Sequence, residues 1–328
     1  MMNHEEFRFH FREKRGIYLS AVMFAVLFAV FIGKYQTGWS VAVVSTAANK
    51  GVLLALAAMA QTLPVLTSGI DLSVGMVFVL ANCLASHLVT GTPMQAAFGV
   101  LAVLAVGCLC GLLNGVIIVY GRLQPIITTM ATGSIFFGLA LGLRPVPGGS
   151  VQEDLADAVT GVSAGIPNTL LLLAAVVAFI WIPYRRSIVG RGALAVGSSE
   201  GAAFMSGVPI DRAKLVAYVL SGFLAALGGL LLTFITYSGE ASSIFGGTYT
   251  LMSIAAVVIG GTSLAGGTGS AVGSIFGAFL LRTIGDLLYV FDLEPLWQPL
   301  FQGVILLVAI SLGSLKLLKL SNRLELFK

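Results

Sequence analysis

Charge is scarce in this 328-residue chain: 14 acidic and 18 basic residues make up 10% of it, against 57% hydrophobic residues. A soluble domain of this length needs far more polar coverage, so that class is excluded and a bilayer is the expected solvent. Cysteine is nearly absent, and Cys83, Cys108 and Cys110 lie in apolar runs, where a thiol behaves as a small hydrophobe without redox or metal character. His4, His10 and His87 are scattered, which excludes a zinc or haem ligand set. No lysine follows a glycine and precedes serine or threonine, so the chain lacks a phosphate-binding loop and cannot hydrolyse ATP by that route. No basic patch is interleaved with aromatics, which argues against nucleic acid; the tail KLLKLSNRLELFK suits an anionic lipid surface instead. No metal and no bound cofactor are expected on this chain.

Apolar runs are abundant. Crossing a hydrocarbon core of about 30 Å takes roughly 20 residues. Such runs recur at 17–32, 51–67, 72–89, 96–119, 126–143, 169–183, 215–237, 251–264, 271–288 and 300–315, the eighth being the weakest. Lipid satisfies no backbone groups, so each run is expected to be a helix, and no alternating pattern supports a barrel. The fold class is therefore an all-α polytopic membrane protein with about ten transmembrane helices. With both termini inside, Arg122, Arg185, Arg186, Arg191, Arg212 and Lys214 share the cytoplasmic side with the terminal basic residues, leaving only Lys34, Lys50 and Arg144 outside. The basic, polar N-terminus resembles a signal peptide, but the helix count and loop charges agree only if it stays as a first helix.

The chain has 40 glycines, several spaced four apart on what would be one helix face: Gly107, Gly111 and Gly115; Ser134, Gly138 and Gly142; Gly269, Gly273 and Gly277. Small residues at that spacing let helices approach closely in lipid. Two soluble-enzyme patterns are accidental matches. Gly190 to Ala195 fits a loose dinucleotide fingerprint but follows a membrane helix, and Gly197 to Gly201 fits a nucleophile elbow without strand or downstream histidine. Asp71, in the segment SGIDLSVGM, is placed to cap the next helix at the cytoplasmic membrane face. The longest basic connection, Tyr184 to Lys214, offers a soluble partner its main grip; within it Gly207 suits a helix C-terminus, Pro209 a stop and Asp211 a cap for the following helix.

Four stretches carry a resemblance: TSGIDLSVG (Thr67 to Gly75), QPIITTMAT (Gln124 to Thr132), the run from Gly190 to Gly229, and IAAVVIGGTSLAGGTGSAVG (Ile254 to Gly273). In these the chain resembles the membrane permease subunit of ribose-type ABC importers over essentially its whole length. The resemblance implies a type II-like importer permease fold, a single transmembrane domain over residues 1–328 with a cytoplasmic coupling loop at 185–214, and an inner-membrane location. It implies three partners: a cytoplasmic ATPase that holds ATP and magnesium, a periplasmic sugar-binding protein, and a second permease copy or paralogue. The loop from Val196 to Pro209 would form a coupling helix whose docking surface is Glu200, Gly201, Ala202, Ala203, Phe204 and Met205. Gly69, Asp71, Ser73 and Gly75 belong to the shared motif, and Asn82, Asn114, Thr128 and Thr129 are candidates for a pathway at a dimer axis. Relatives often carry an acidic pair just before IAAVVIGG, where this chain has Thr250 and Met252. Arg282 and Asp286, four apart, are expected to pair on one helix face.

The resulting expectation is alternating access without chemistry in this subunit, moving a sugar or related small polar solute into the cytoplasm. An ion-driven secondary transporter is the alternative. It requires intramembrane ionisable groups, and only Asp71, Arg282 and Asp286 are available. An intramembrane enzyme lacks a nucleophile–base pair, and Ser199 is expected to be dispensable.

Overall fold

The computed structural model describes residues 4–35 and 38–292, together with positions 297, 300, 301, 303, 304 and 307. Apart from those isolated positions, the expected tenth span (300–315) and the basic tail lie outside the described residues. Elsewhere the chain is helical, as the apolar runs require. Among the described residues, seven helices are long and apolar enough to cross a membrane. They comprise the apolar part of α1 (His4–Lys34), α2 (Val41–Leu66), α4 (Pro93–Val119), α5 (Pro125–Leu143), the continuous helix Asn168–Arg186, α11 (Ile210–Thr236) and α13 (Ala271–Val290). Two shorter apolar helices, α3 (Val74–Leu88) and α12 (Ser243–Ile259), stand where the third and eighth spans were expected, the latter shifted to begin eight residues earlier and end five residues sooner than 251–264. The Asn168–Arg186 helix consists of α7 (Asn168–Val176), a π turn at Val177–Trp181 and α8 (Ile182–Arg186). The π turn precedes Pro183, whose missing N–H removes one helical bond.

One expectation of extent is corrected. α2 begins at Val41, ten residues before the apolar run, because Ser40 accepts a cap bond from the Val43 N–H at 3.2 Å. Lys50 therefore lies on a helix rather than in an outer loop. The connection after α5 holds a short helix, α6 (Glu153–Thr160), and a two-residue antiparallel ribbon, β1 (Val162–Ser163) with β2 (Ile166–Pro167). There Tyr237, at the end of α11, donates to Asp157 of α6, and that bond raises the tyrosine pKa.

The core is built on α2, buried from Gly51 to Leu66 and flanked by α3, α11, α12 and α13. Between lipid-bathed helices, packing replaces the hydrophobic drive, and the glycine stripes show how. A Cβ at Gly111 would stand 2.1 Å from the Tyr218 carbonyl oxygen, and one at Gly222 would stand 2.1 Å from that of Gly107. The backbones of α4 and α11 are thus in contact. Gly273 and Gly277 similarly join α13 to the end of α12. Two expectations of helix packing are corrected here. Gly269 precedes α13 and belongs to the turn facing Thr262, while Gly138 and Gly142 have nothing within 4 Å of a Cβ and face outward.

Candidate functional site

The break between α2 and α3 gathers most of the motif residues. α2 stops because Ser68 takes a left-handed conformation, φ 62°. Its hydroxyl then reaches the carbonyls of Ala265 (2.7 Å) and Gly197 (3.0 Å). Those two acceptors lie in the turn before α13 and in α9 (Ile188–Ser198), so this one residue ties the break to two connections at the same end of the bundle. Ser68 lay inside the quoted motif, yet nothing in its local pattern marked it.

Asp71 follows. Its Oδ1 accepts from the Ser73 N–H at 2.9 Å and the Ser73 hydroxyl at 2.6 Å, and its Oδ2 accepts from the Ser221 hydroxyl of α11 at 3.1 Å. The cap role expected for Asp71 is corrected: Ser73 is the N-cap of α3, and Asp71 instead makes a local turn by bonding the backbone two residues on. Its surroundings differ from the expected interface position, because the residue is 2% exposed. With its amide oriented to satisfy both neighbours, opposite to the orientation in the structure, Gln61 donates to the Asp71 carbonyl at 2.8 Å and accepts from the Asp71 N–H at 3.2 Å. Ser73 in turn accepts from Asn114 Nδ2 (2.8 Å), whose Oδ1 accepts from the Thr132 hydroxyl (2.6 Å). Thr129 accepts the Leu72 N–H at 2.9 Å. A network of this kind is stable in a low-dielectric interior only when its members are satisfied, and these bonds meet that need.

Gly69 and Gly75 belong to the same region. A Cβ at Gly75 would fall 1.8 Å from the Gly246 carbonyl oxygen, so the start of α3 lies directly on α12. The Gly75 N–H, one of the orphan donors of the first helical turn, is accepted by Thr250 Oγ1 at 3.0 Å. Thr250, noted in the sequence only as a missing acid, is therefore a cross-helix acceptor.

The four pathway candidates need correction. Asn82, Asn114, Thr128 and Thr129 are all buried within this one chain and face none of its open surface. Asn82 stands apart from the others, bonding Thr233, the Ser238 carbonyl and the Glu240 N–H at the opposite end of α3. For Asn82, Asn114 and Thr129 the physical reason is that amides and hydroxyls on lipid-bathed helices turn inward to find partners, whereas the buried Thr128 hydroxyl has none among the described residues.

In the long connection, α9 is followed by α10 (Glu200–Met205), the expected coupling helix. Ser199 caps it, accepting the Ala202 N–H at 3.3 Å. Gly207, φ 72°, ends it: the Gly207 N–H bonds the Phe204 carbonyl and the Val208 N–H bonds the Ala203 carbonyl, both at 3.0 Å. This double closure with its apolar contact is a Schellman motif. Phe204 is 74% and Met205 89% exposed, and Gly201 and Ala202 are also open. Ala203 is corrected: it turns inward at 4% exposure against Val196 and Ala213, because a short helix needs an anchor. Glu200 is exposed but paired with Lys214 at 2.8 Å. Asp211 is also corrected, since it stands inside the first turn of α11 and makes no cap bond; its charge suits the helix N-terminus. Arg282 and Asp286 pair at 3.0 Å as expected. No group of metal-ligating side chains occurs among the described residues.

Residues 43–310 match the family described as the branched-chain amino acid transport system permease component. The chain belongs to that family. Among curated relatives, the ribose import permease protein RbsC of Haemophilus influenzae is 33% identical over 261 residues, 78% of this chain and 80% of the relative. A probable ABC transporter permease of Sinorhizobium fredii is 36% identical, covering 79% and 78%. The galactose/methyl galactoside import permease MglC of Escherichia coli K12 is 30% identical, covering 96% and 98%. No solved structure matches. These findings bear out the resemblance read from the four stretches. The chain is a multi-pass membrane permease of the ABC-importer class, a transporter component rather than an enzyme.

Proposed function

We propose that this chain imports a sugar into the cytoplasm by alternating access, driven by a separate ATPase that binds α10. The observation that carries this reading is α10 itself, a capped helix whose Phe204 and Met205 are open while Ala203 holds it to the bundle. Large apolar side chains exposed on a connection between membrane helices are the signature of a docking surface. On this reading the 184–214 connection is cytoplasmic, as are both termini, and the whole chain is one permease domain. The substrate follows from the relatives, whose names specify ribose and galactose import. A periplasmic binding protein delivers that sugar to the opposite end.

Movement of α10 has a physical route inward. It runs through α9 to Gly197, from Gly197 to Ser68, and through the α2–α3 break with Asp71 to Asn114 of α4 and Thr132 of α5. ATP binding biases two packings of this route, and each must already be accessible for the bias to act. Exposed residues of α5 replace the buried threonines as the candidate pathway face, shared with a second permease copy or paralogue.

The test is co-purification of the ATPase with the full-length chain carrying Glu200→Arg and Phe204→Asp together. We expect loss of the ATPase with the membrane fold retained. Undiminished co-purification refutes the docking assignment, and uptake in ATP-free liposomes under an ion gradient would refute the ATP-driven mechanism itself.

A further inference from the structure

Beneath α10 lies a cavity of about 810 Å³, bounded by the α2–α3 break, the end of α4, the turn into α5 and the start of α11. Its charged lining is distinctive. Glu200 and Lys214 neutralise each other at 2.8 Å, whereas Arg122, Arg212 and Asp211 have no ion-pair partner among the described residues. Arg122 is held in a left-handed conformation, φ 54°, uncommon for a side chain of that size. Tyr218, also lining the cavity, is 1% exposed, and its hydroxyl has no hydrogen-bond partner among the described residues. That hydroxyl lies against Gly69 of the cavity wall, 2.4 Å from where a Cβ would stand. A buried, unpartnered hydroxyl is rare, because burial without a bond is unfavourable.

We infer that this cavity binds a sugar phosphate from the cytoplasm, and that its occupation holds α10 against the bundle and slows import. Two guanidinium groups suit a phosphomonoester, which accepts charge-assisted bonds from their forked donors. Asp211 and Tyr218 are left for ring hydroxyls, one as acceptor and one as donor. A ligand of this kind bridges Phe204 and Glu200 of α10 to Arg122 beside α5, so it restrains the element that the ATPase must move. The choice of a sugar phosphate rests on the proposed sugar import, since phosphorylation of the imported sugar is the class of reaction that supplies it.

The test uses the full-length chain in phosphatidylcholine nanodiscs, with ribose 5-phosphate, ribose and inorganic phosphate as probes and both binding and thermal unfolding as readouts. Ribose 5-phosphate is expected to bind more tightly than either other probe. Arg122→Gln with Arg212→Gln is expected to weaken it by at least about tenfold. Tyr218→Phe is expected to reduce the preference for ribose 5-phosphate over inorganic phosphate without lowering unliganded stability. Equal binding by the double-arginine variant overturns the site, and an unchanged preference in Tyr218→Phe overturns the hydroxyl assignment. An anionic lipid headgroup shares the phosphate chemistry. Arginine-dependent stabilisation by phosphatidylglycerol discs, with no effect of ribose 5-phosphate in neutral discs, overturns the soluble ligand. Binding is read on the isolated chain, so failure of sugar uptake by the reconstituted importer would count against the proposed function and leave this result standing.

Discussion

Asp71 has no basic partner among the described residues, and its carboxylate depends on hydroxyl and peptide donors alone. Removing it leaves the Ser73 N–H and the Ser73 and Ser221 hydroxyls without their acceptor, in a place water does not reach. Asp71→Ala is accordingly expected to destabilise the chain by about 3 kcal/mol, the upper range for orphaning buried donors. Asp71→Asn keeps an acceptor for Ser73 and should cost less, about 1 kcal/mol. Thermal unfolding of both variants in one detergent checks the order, and an alanine variant as stable as the asparagine one refutes the account. The same reasoning explains Thr250. Its neutral hydroxyl accepts from Gly75 and donates to the Gly246 carbonyl at 2.9 Å, so no charge is buried against α3.

Among elements, α10 is held by few atoms and shaped mainly by its ends. Gly207 has open space around it, so a side chain there meets no clash and pays only for the left-handed backbone. Gly207→Ala should therefore cost about 1 kcal/mol locally, leave the unfolding of the bundle unchanged and reduce ATPase capture. Capture at the wild-type level would mean that the Schellman closure does not set the docking geometry. The end of this helix was readable in the sequence because Gly207 and Pro209 are local signals that sit next to what they govern, whereas its start, capped by Ser199, was placed only through the family resemblance. The apolar runs were equally readable, since lipid imposes their length and composition. Ala203 was not, because apolar and small residues say nothing about which face of a six-residue helix turns inward. Nor was the Ser68–Gly197 contact, whose partners stand 129 residues apart. Asn82 and Thr129 looked alike in the sequence, as polar groups within apolar runs, and only tertiary packing assigns them to opposite ends of α3.

At the level of the whole molecule, the two outer helices α4 and α5 use their small residues in opposite ways. α4 turns Gly107 and Gly111 inward onto α11 and exposes bulky Phe98, Leu101 and Leu109, a face suited to lipid. α5 exposes Ser134, Gly138 and Gly142 between Ile127, Met130, Ile135 and Leu139. A groove of small residues with ridges beside it permits close helix approach, and among the described residues no helix of this chain enters it. On the proposed function a second permease subunit would occupy this groove, which would put the transport pathway where two copies of α5 meet. A Cβ at Gly138 meets no atom of the described residues within 4 Å, so Gly138→Leu fills the groove. It should leave monomer stability intact while weakening association by about 1–3 kcal/mol, roughly tenfold or more in the dimer constant. Native mass spectrometry from mild detergent distinguishes the cases: a wild-type dimer that becomes monomeric on substitution supports the α5 interface, whereas an unchanged dimer shows that this stripe faces lipid and that the subunits meet elsewhere.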